Sequence, residues 1–452
     1  MPPVRTGNDI QLLIDGQDTF KEMADVISTA VNPSHYIYLI GWSLIDNFQL
    51  VHDEENSTML SLLEKASKNG VEIRVMLSEH LKYDENKPAI EHINALAHGM
   101  AIYDNRHLEF GSHHQKILVV KGSAGLIAFC GGIDIHSDRL LKTEKGPGAG
   151  EMGAPLHDVH CRIQGTAAYD LLKIFVERWQ DYAQNIGDNQ EPISLSLLGA
   201  SEAESIATDK AYYIQVGRTY GNISTQRGTD SAPNEKHNGT PKGYSFAPFG
   251  EQTARRMILH AISRAEEFIY MEDQYLVSLE VSRALQDALP KLKHLTILIP
   301  HGSISDMPQI HYRRRDFIAP LKAVGGSKVR VFYLNPPGDE HTYVHAKIYV
   351  IDDAFAIIGS VNCNRRSLTH DSEVAIGVYD DYETHFAQAM RIKLWAEHLN
   401  LNKADVVDGI KSASYWINPP PGARVSPYDE NADIELLHAD TAWDTIEDPD
   451  GG

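Results

Sequence analysis

His345-Ala346-Lys347-Ile348-Tyr349-Val350-Ile351-Asp352, continued after a gap of six residues by Gly359-Ser360-Val361-Asn362, is the stretch on which the fold turns. It has an earlier counterpart, Ser112-His113-His114-Gln115-Lys116-Ile117-Leu118-Val119-Val120, which runs on to Gly131-Gly132-Ile133-Asp134. Both copies place a histidine two residues before a lysine, at the start of an apolar run of strand length. Side chains at i and i+2 of a strand share a face. Each copy therefore offers one imidazole and one ammonium to the same side. The copies stand about 230 residues apart, which means duplicated domains rather than a solenoid.

The order of elements repeats around them. Ile10–Ile14 followed by Asp15-Gly16 reads as a strand and turn, with a helical pattern from about Asp18 to Val31. Tyr36–Ile40 is a buried-strand run ending in Gly41-Trp42-Ser43. In the second half a helix from about Glu251 to Ala265 precedes the strand Phe268–Met271, which ends in Glu272-Asp273-Gln274-Tyr275. A helix over Met59–Asn69 and a strand over Val71–Met76 are matched by Val281–Lys293 and Leu295–Ile299. Strands alternating with helices predict an α/β protein of two pseudo-symmetric domains, each a mixed sheet flanked by helices. The expected division is 1–200, 201–415 and an acidic, partly extended tail 416–452. Residues 217–245, rich in Gly, Ser, Thr, Asn and Pro, read as a long loop, either a lid or a plain connector.

Bulk properties narrow the function. The chain has 452 residues, 42% of them hydrophobic, and a formal net charge of −21. That charge repels nucleic acid at long range and disfavours a nonspecific nuclease. Cys130, Cys161 and Cys363 are few and widely spaced, so they imply buried small residues and no disulfide framework. No stretch approaches the ~20 apolar residues of a membrane span, and the N-terminus lacks a cleavable leader pattern. The reading is a cytoplasmic protein, or one exported without a cleaved signal.

Two histidines and two lysines are what metal-free phosphodiester cleavage needs. One imidazole attacks phosphorus, the other protonates the leaving oxygen, and the lysines hold the charged oxygens. The paired motifs resemble those of the phospholipase D superfamily, and the resemblance covers most of residues 8 to 400. It implies His114 as nucleophile, His345 as general acid and base, and Lys116 and Lys347 as phosphate ligands. Asn362 and Ser360 are expected to donate to the same phosphate. Each histidine needs an orienting carboxylate. Glu373 in Asp371-Ser372-Glu373 sits where the family places one. Asp158 in Leu156-His157-Asp158-Val159-His160, similar to the Trp-His-Asp-Val-His of eukaryotic-type members, is expected to be the other. The site should form where the domains meet, and a monomer should suffice.

Two positions depart from the family pattern. Lys121 stands where the first motif has Asp, a position remote from the phosphate. Asp134 stands where the second copy has Asn362, and is expected to hold its loop. Trp42, Gln274 and Tyr275 end corresponding strands and are candidate cleft residues. His113-His114 and His157-x-x-His160 resemble metal ligands, but the lysines repel a cation, so neither metal nor cofactor is expected. Arg313-Arg314-Arg315 reads as a solvated helix face or a contact for anionic lipid.

The resemblance implies hydrolysis of the head-group phosphodiester of a glycerophospholipid at a membrane surface, with transphosphatidylation. The alternatives are a cardiolipin synthase-like phosphatidyltransferase and a nuclease of the same superfamily. A binding protein without activity is disfavoured, because both histidines, both lysines and Asn362 are present.

Overall fold

The computed structural model describes residues 1–51, 54–79, 83–107, 111–139, 156–185, 211–221, 236–237, 240–241, 244–302, 310–336 and 341–432. The first half contains strands β1 (Arg5–Ile14), β2 (Tyr36–Gly41), β3 (Glu72–Ser78), β4 (Gly99–Asp104), β5 (Ile117–Gly122), β6 (Gly125–Gly131), β7 (Leu156–His157) and β8 (Val159–Gly165). The second contains β9 (Tyr212–Tyr220), β10 (Phe268–Asp273), β11 (His294–Leu298), β12 (Val329–Leu334), β13 (Tyr343–Val344), β14 (Lys347–Ile351), β15 (Phe355–Gly359), β16 (Glu373–Tyr379) and β17 (Val425–Pro427).

All of them except β7 and β13 join one mixed sheet, ordered β17-β12-β11-β10-β14-β15-β16-β9-β1-β8-β6-β5-β2-β3-β4. The repeat is visible in it. β2–β3–β4 and β10–β11–β12 are parallel runs joined through helices, and each is flanked by an antiparallel hairpin, β5/β6 or β14/β15. The halves meet where β9 pairs with β1. Parallel strands covered on both faces read as unbroken apolar runs, which is why every residue of Tyr36–Gly41 and His294–Leu298 is buried.

Helices cover both faces. Thr166–Asn185 and Phe386–His398 pack on one face, over a core that draws residues from both halves, Ile40 and Trp179 as well as Tyr270 and Trp395. The other face carries two separate cores. One is built with Asp15–Ile27 and Met59–Lys68, the other with Thr253–Arg264 and Leu279–Ala288. The matched helices also start alike: Thr58 accepts the Ser61 N–H, and Ser278 the Val281 N–H.

Two expectations need correction. The turn at Asp15-Gly16 is a helix start, entered through Asp15 at φ 60. Residues 217–220 are strand rather than loop, because β9 pairs with β16 from Tyr213 to Thr219 and Tyr220 pairs with Glu251. Gly217 lets the helix Thr253–Arg264 lie close, since a Cβ there would meet the Ala254 Cα at 2.9 Å. Most of the remaining segment, including Gly228–Pro233, lies outside the described residues, as do residues 433–452 of the tail. Within the tail's described part, Val425–Pro427 is extended and adds an edge strand to β12. All three cysteines are free and buried.

A buried network holds the helix Thr166–Asn185 against the start of the first motif. Arg178 donates to Asp104 at 2.6 Å and to the Gln115 side-chain Oε1 at 3.0 Å. Gln115 in turn donates to Tyr220 and to the Glu373 backbone oxygen, both at 3.1 Å. Replacing Arg178 with Met leaves the buried Asp104 carboxylate to His113 Nε2 at 3.1 Å and the Arg106 N–H at 3.0 Å, and should lower unfolding free energy by about 2–4 kcal/mol. Urea denaturation measures it; a loss under about 1 kcal/mol contradicts the network's role.

Candidate active site

His114 and Lys116 lie on the lead-in to β5, and His345 and Lys347 at the start of β14. Backbone bridging between the halves decides what each histidine meets. Ahead of β5, His113 bridges to Ser372, the His114 N–H donates to the Ser372 oxygen, and the Ser372 N–H donates back to Ser112. The Asp371 carboxylate fastens this join by accepting the Ser112 N–H at 2.7 Å. Ahead of β14, β13 pairs parallel with β7, and the His345 N–H donates to the His157 oxygen. Each motif is thus stitched to the residues just before the other half's carboxylate.

The carboxylates are consequently exchanged. His114 Nδ1 lies 3.0 and 3.1 Å from the oxygens of Glu373, with the Ser360 carbonyl at 3.1 Å. His345 Nδ1 lies 2.6 Å from Asp158 Oδ2. In both rings Nδ1 is engaged and Nε2 is the nitrogen left over. Gly132 makes room for the second pair, because a Cβ at that position would collide with the Asp158 carboxylate.

The lysines are held differently. Both fold back onto a motif backbone, Lys116 donating to the His114 oxygen at 2.9 Å and Lys347 to that of His345. Lys116 then pairs with Asp134 Oδ2 at 3.0 Å, whereas Lys347 donates to the neutral Gln274 Oε1 at 2.8 Å. The other Asp134 oxygen accepts the N–H groups of Trp42 and Ser43 at 2.9 and 3.2 Å, so it holds the loop and also neutralises a lysine. The second half uses Asp273 for the loop task. It accepts the N–H groups of Tyr275, Leu276 and Cys363, each at 2.8 Å.

Not every candidate behaves as expected. Ser360 donates its hydroxyl to Glu373 and is not a free phosphate donor; its single proton is committed to steadying the carboxylate. Asn362 Oδ1 is buried and accepts no hydrogen bond from the described residues. Gln274 reaches the site through Lys347, and also donates to the Tyr343 hydroxyl at 2.9 Å. Trp42 is half-buried, and Tyr275 is buried beside Val277 and Ile310. Asp352, the residue Lys121 replaces in the first copy, accepts the N–H groups of Glu266, Glu267 and Phe268 at 2.7–2.8 Å. In the first half the Ser123 N–H donates to the Thr29 oxygen at the matching turn. Arg314 is fully buried, so Arg313–Arg315 is not a uniform solvated face.

Arg139 was not singled out from the sequence. It is buried and acts on Asp134, Asp158, His345 and Lys347 together. Nothing in Asp134-Ile135-His136-Ser137-Asp138-Arg139 marks it beyond being a basic residue soon after the motif loop.

Electrostatics follow from dry burial of many charges. Burial, then Lys116 and Lys347, hold the His114 ring well below its ordinary pKa. Burial, then Lys347, Arg139 and Lys116, do the same to His345. Burial pushes Asp158 up to about 6 and Glu373 up to about 7, and pushes Lys347 down to about 8. Each ring is therefore neutral at neutral pH and donates its Nδ1 proton to the carboxylate.

Behind Asp158 lies a second cluster. His157 Nδ1 meets Asp15 Oδ1 at 2.8 Å and its Nε2 meets Glu272 Oε2 at 2.9 Å, while His398 Nε2 meets Glu272 Oε1 at 3.0 Å. Burial disfavours charge on His157, but the Asp15 and Glu272 carboxylates raise its pKa well above the ordinary value. His157, Glu272 and His398, and likewise Asp15, His157 and Glu397, bring ligand atoms within 4.8 Å of one another and could hold a metal ion. His160 belongs to neither group; the Ile133 N–H points at its Nδ1 from 3.4 Å.

Raised carboxylate pKa values mean that the folded protein binds protons more tightly than the unfolded chain. For Glu373, stabilisation is complete below its ordinary value near 4.5 and is lost as pH rises through about 7. Glu373→Gln should therefore gain stability over wild type between pH 5 and pH 7.5, by about 1–3 kcal/mol. Denaturation curves at both pH values test this; a wild-type-minus-mutant difference that does not change with pH contradicts it.

Known proteins resemble this chain over most of its length. Residues 140–298 match the family described as "Phospholipase D", and residues 258–395 that described as "Cardiolipin synthase, PLD-like domain". Phospholipase D alpha 4 of Arabidopsis thaliana is 25% identical over 499 residues, covering 83% of this chain and 63% of its own length. Phospholipase D zeta 2 of the same plant is 23% identical over 586 residues, covering 90% of this chain and 55% of its own. This chain thus spans less than two thirds of either relative. The crystal structure of phosphatidylserine synthase from Haemophilus influenzae Rd KW20 superposes with a TM-score of 0.57 at 12% identity, covering 95% of this chain and 89% of that one, which is a likeness of fold. No helix among the described residues is long and apolar enough to cross a membrane. With a duplicated His-x-Lys motif, the matching fold and these relatives together, the chain belongs to the phospholipase D superfamily of enzymes.

Proposed function

We propose that this chain cleaves the head-group phosphodiester of a glycerophospholipid, giving phosphatidic acid and the free alcohol through a phosphohistidine. The observation that carries the reading is the exchanged pairing of His114 with Glu373 and His345 with Asp158, with Lys116 and Lys347 folded back onto the same two motifs. A neutral His114 has its Nε2 lone pair available to attack phosphorus. The phosphorus–oxygen bond to the head group breaks as the new phosphorus–nitrogen bond forms. The departing oxygen takes a proton from His345, whose pKa the bound anion raises by offsetting Lys347 and Arg139. In the second step His345 removes a proton from water, water oxygen attacks phosphorus, and the phosphorus–nitrogen bond breaks. Lys116, Lys347 and the Asn362 amide stabilise the oxygens whose charge persists throughout. No step draws on a metal.

An alcohol can replace water in the second step, and the match of residues 258–395 to a cardiolipin synthase-type domain favours a second reading in which transfer to an alcohol dominates. Names of the plant relatives support a phospholipid substrate, and the net charge of −21 weighs against nucleic acid.

Mixed phospholipid vesicles with a little ethanol, no added metal, and lipid mass spectrometry test the reading. Phosphatidic acid and phosphatidylethanol should both appear, and His114→Ala should reduce both by about 10³-fold or more. Transfer product without hydrolysis would favour the phosphatidyltransferase. No lipid product from folded protein would sink both readings and turn attention to nucleic acid and small diesters.

The rate should also fall above about pH 8, as the Lys347 ammonium loses its proton. Lys347→Arg should move that alkaline limb upward by more than one pH unit while leaving the acid limb in place, even if the maximal rate drops. An unmoved alkaline limb assigns it to another group.

A further inference from the structure

Arg314 is the middle of three consecutive arginines on the helix Ile310–Gly325, and it points inward. Its guanidinium meets no carboxylate among the described residues. It donates instead to three backbone oxygens, Nε to Tyr275 at 2.9 Å, Nη1 to Pro300 at 2.9 Å and Nη2 to Gln274 at 2.6 Å. The Tyr428 ring lies under it at 5.9 Å. A buried charge is costly unless its donors are satisfied. Here a rigid fork satisfies them by clamping the ends of two strands, β10 and β11, whose following residues are Gln274-Tyr275 and Pro300.

What that clamp fixes is chemically specific. The Gln274 side chain sits between Lys347 Nζ and the Tyr343 hydroxyl, accepting from one and donating to the other. The same turn is held from the opposite side by Asp273, and Leu276 within it adopts φ 58. A chain passing through the left-handed region at a leucine needs such restraint. Lys116 has the Asp134 carboxylate to hold it in place, whereas Lys347 has this amide.

We propose that Arg314 is a positioning residue for Lys347: by clamping the Gln274-Tyr275 turn it sets the amide that aims the second-motif ammonium at the substrate phosphate. The inference rests on the phosphodiester reading above. Lysine cannot substitute well, because one ammonium cannot span three oxygens arranged around a planar fork.

The test is a double-mutant cycle of Arg314→Gln with Gln274→Ala, read in two ways on the full chain. The first is phospholipid turnover; the second is affinity for inorganic phosphate, measured by calorimetry. Arg314→Gln and Gln274→Ala should each lower kcat/KM by about 10-fold or more and weaken phosphate similarly. The double variant should be no worse than the worse single one, because both act through one link. Arg283→Gln, on the exposed side of the helix Leu279–Ala288, is the control and should match wild type. If Arg314→Gln does not fold, Arg314→Lys completes the same cycle. Independent, multiplying losses would overturn the proposal, as would wild-type turnover and phosphate binding in folded Arg314→Gln. Phosphate binding that follows the cycle in a protein that turns over no phospholipid would refute the proposed activity and leave the positioning role standing.

Discussion

A buried imidazole needs an acceptor for its Nδ1 proton, and in this chain neither half supplies its own. His114 takes Glu373 from the second half and His345 takes Asp158 from the first. That exchange dictates much of the architecture. The halves must approach closely enough for residues 112–114 to bond with residues 371–372, and for β13 to bond with β7. These joins set register to the residue, since a one-residue slip would turn each carboxylate to the wrong face. The continuous sheet through β9 and β1, and the core that both halves share, hold the joins in place.

The cost of the arrangement is electrostatic. Two lysines, an arginine, two histidines and several carboxylates are removed from water together, and burial displaces their proton affinities in the direction that destabilises the empty site. The two halves relieve this unequally. The first gives its lysine a carboxylate, Asp134, which also holds the loop after β2. The second splits the tasks, with Asp273 on the loop and Gln274 on the lysine. The Asp134-for-Asn362 difference between the repeats is intelligible on these terms: Asp134 serves both a loop and a lysine, whereas in the second half Asp273 and Gln274 already do both tasks.

Much of this was legible in the sequence. The repeat, the alternation of strands and helices and the four motif residues follow from spacing and periodicity, because those patterns are local. Asp158 and Glu373 came from resemblance, and which histidine each would meet was not readable, since the contacts span 259 and 187 residues. Ser360 was misread because its hydroxyl has two possible uses, and only the position of Glu373 selects between them. Arg314 was misread because three adjacent arginines look alike until a helix turns one inward. Residues 217–220 were misread because a glycine in the strand, Gly217, resembles loop composition but serves helix packing.

The exchange has a consequence in time. A chain made from its N-terminus has His114 and Lys116 in place long before Glu373 exists, and contacts so distant in sequence form late in folding. The first half emerges with a histidine that nothing yet orients and a carboxylate, Asp158, with no histidine to serve. On the proposed roles the second half is equally inert without Asp158, and chemistry would begin only once synthesis has passed residue 373 and the two halves have closed.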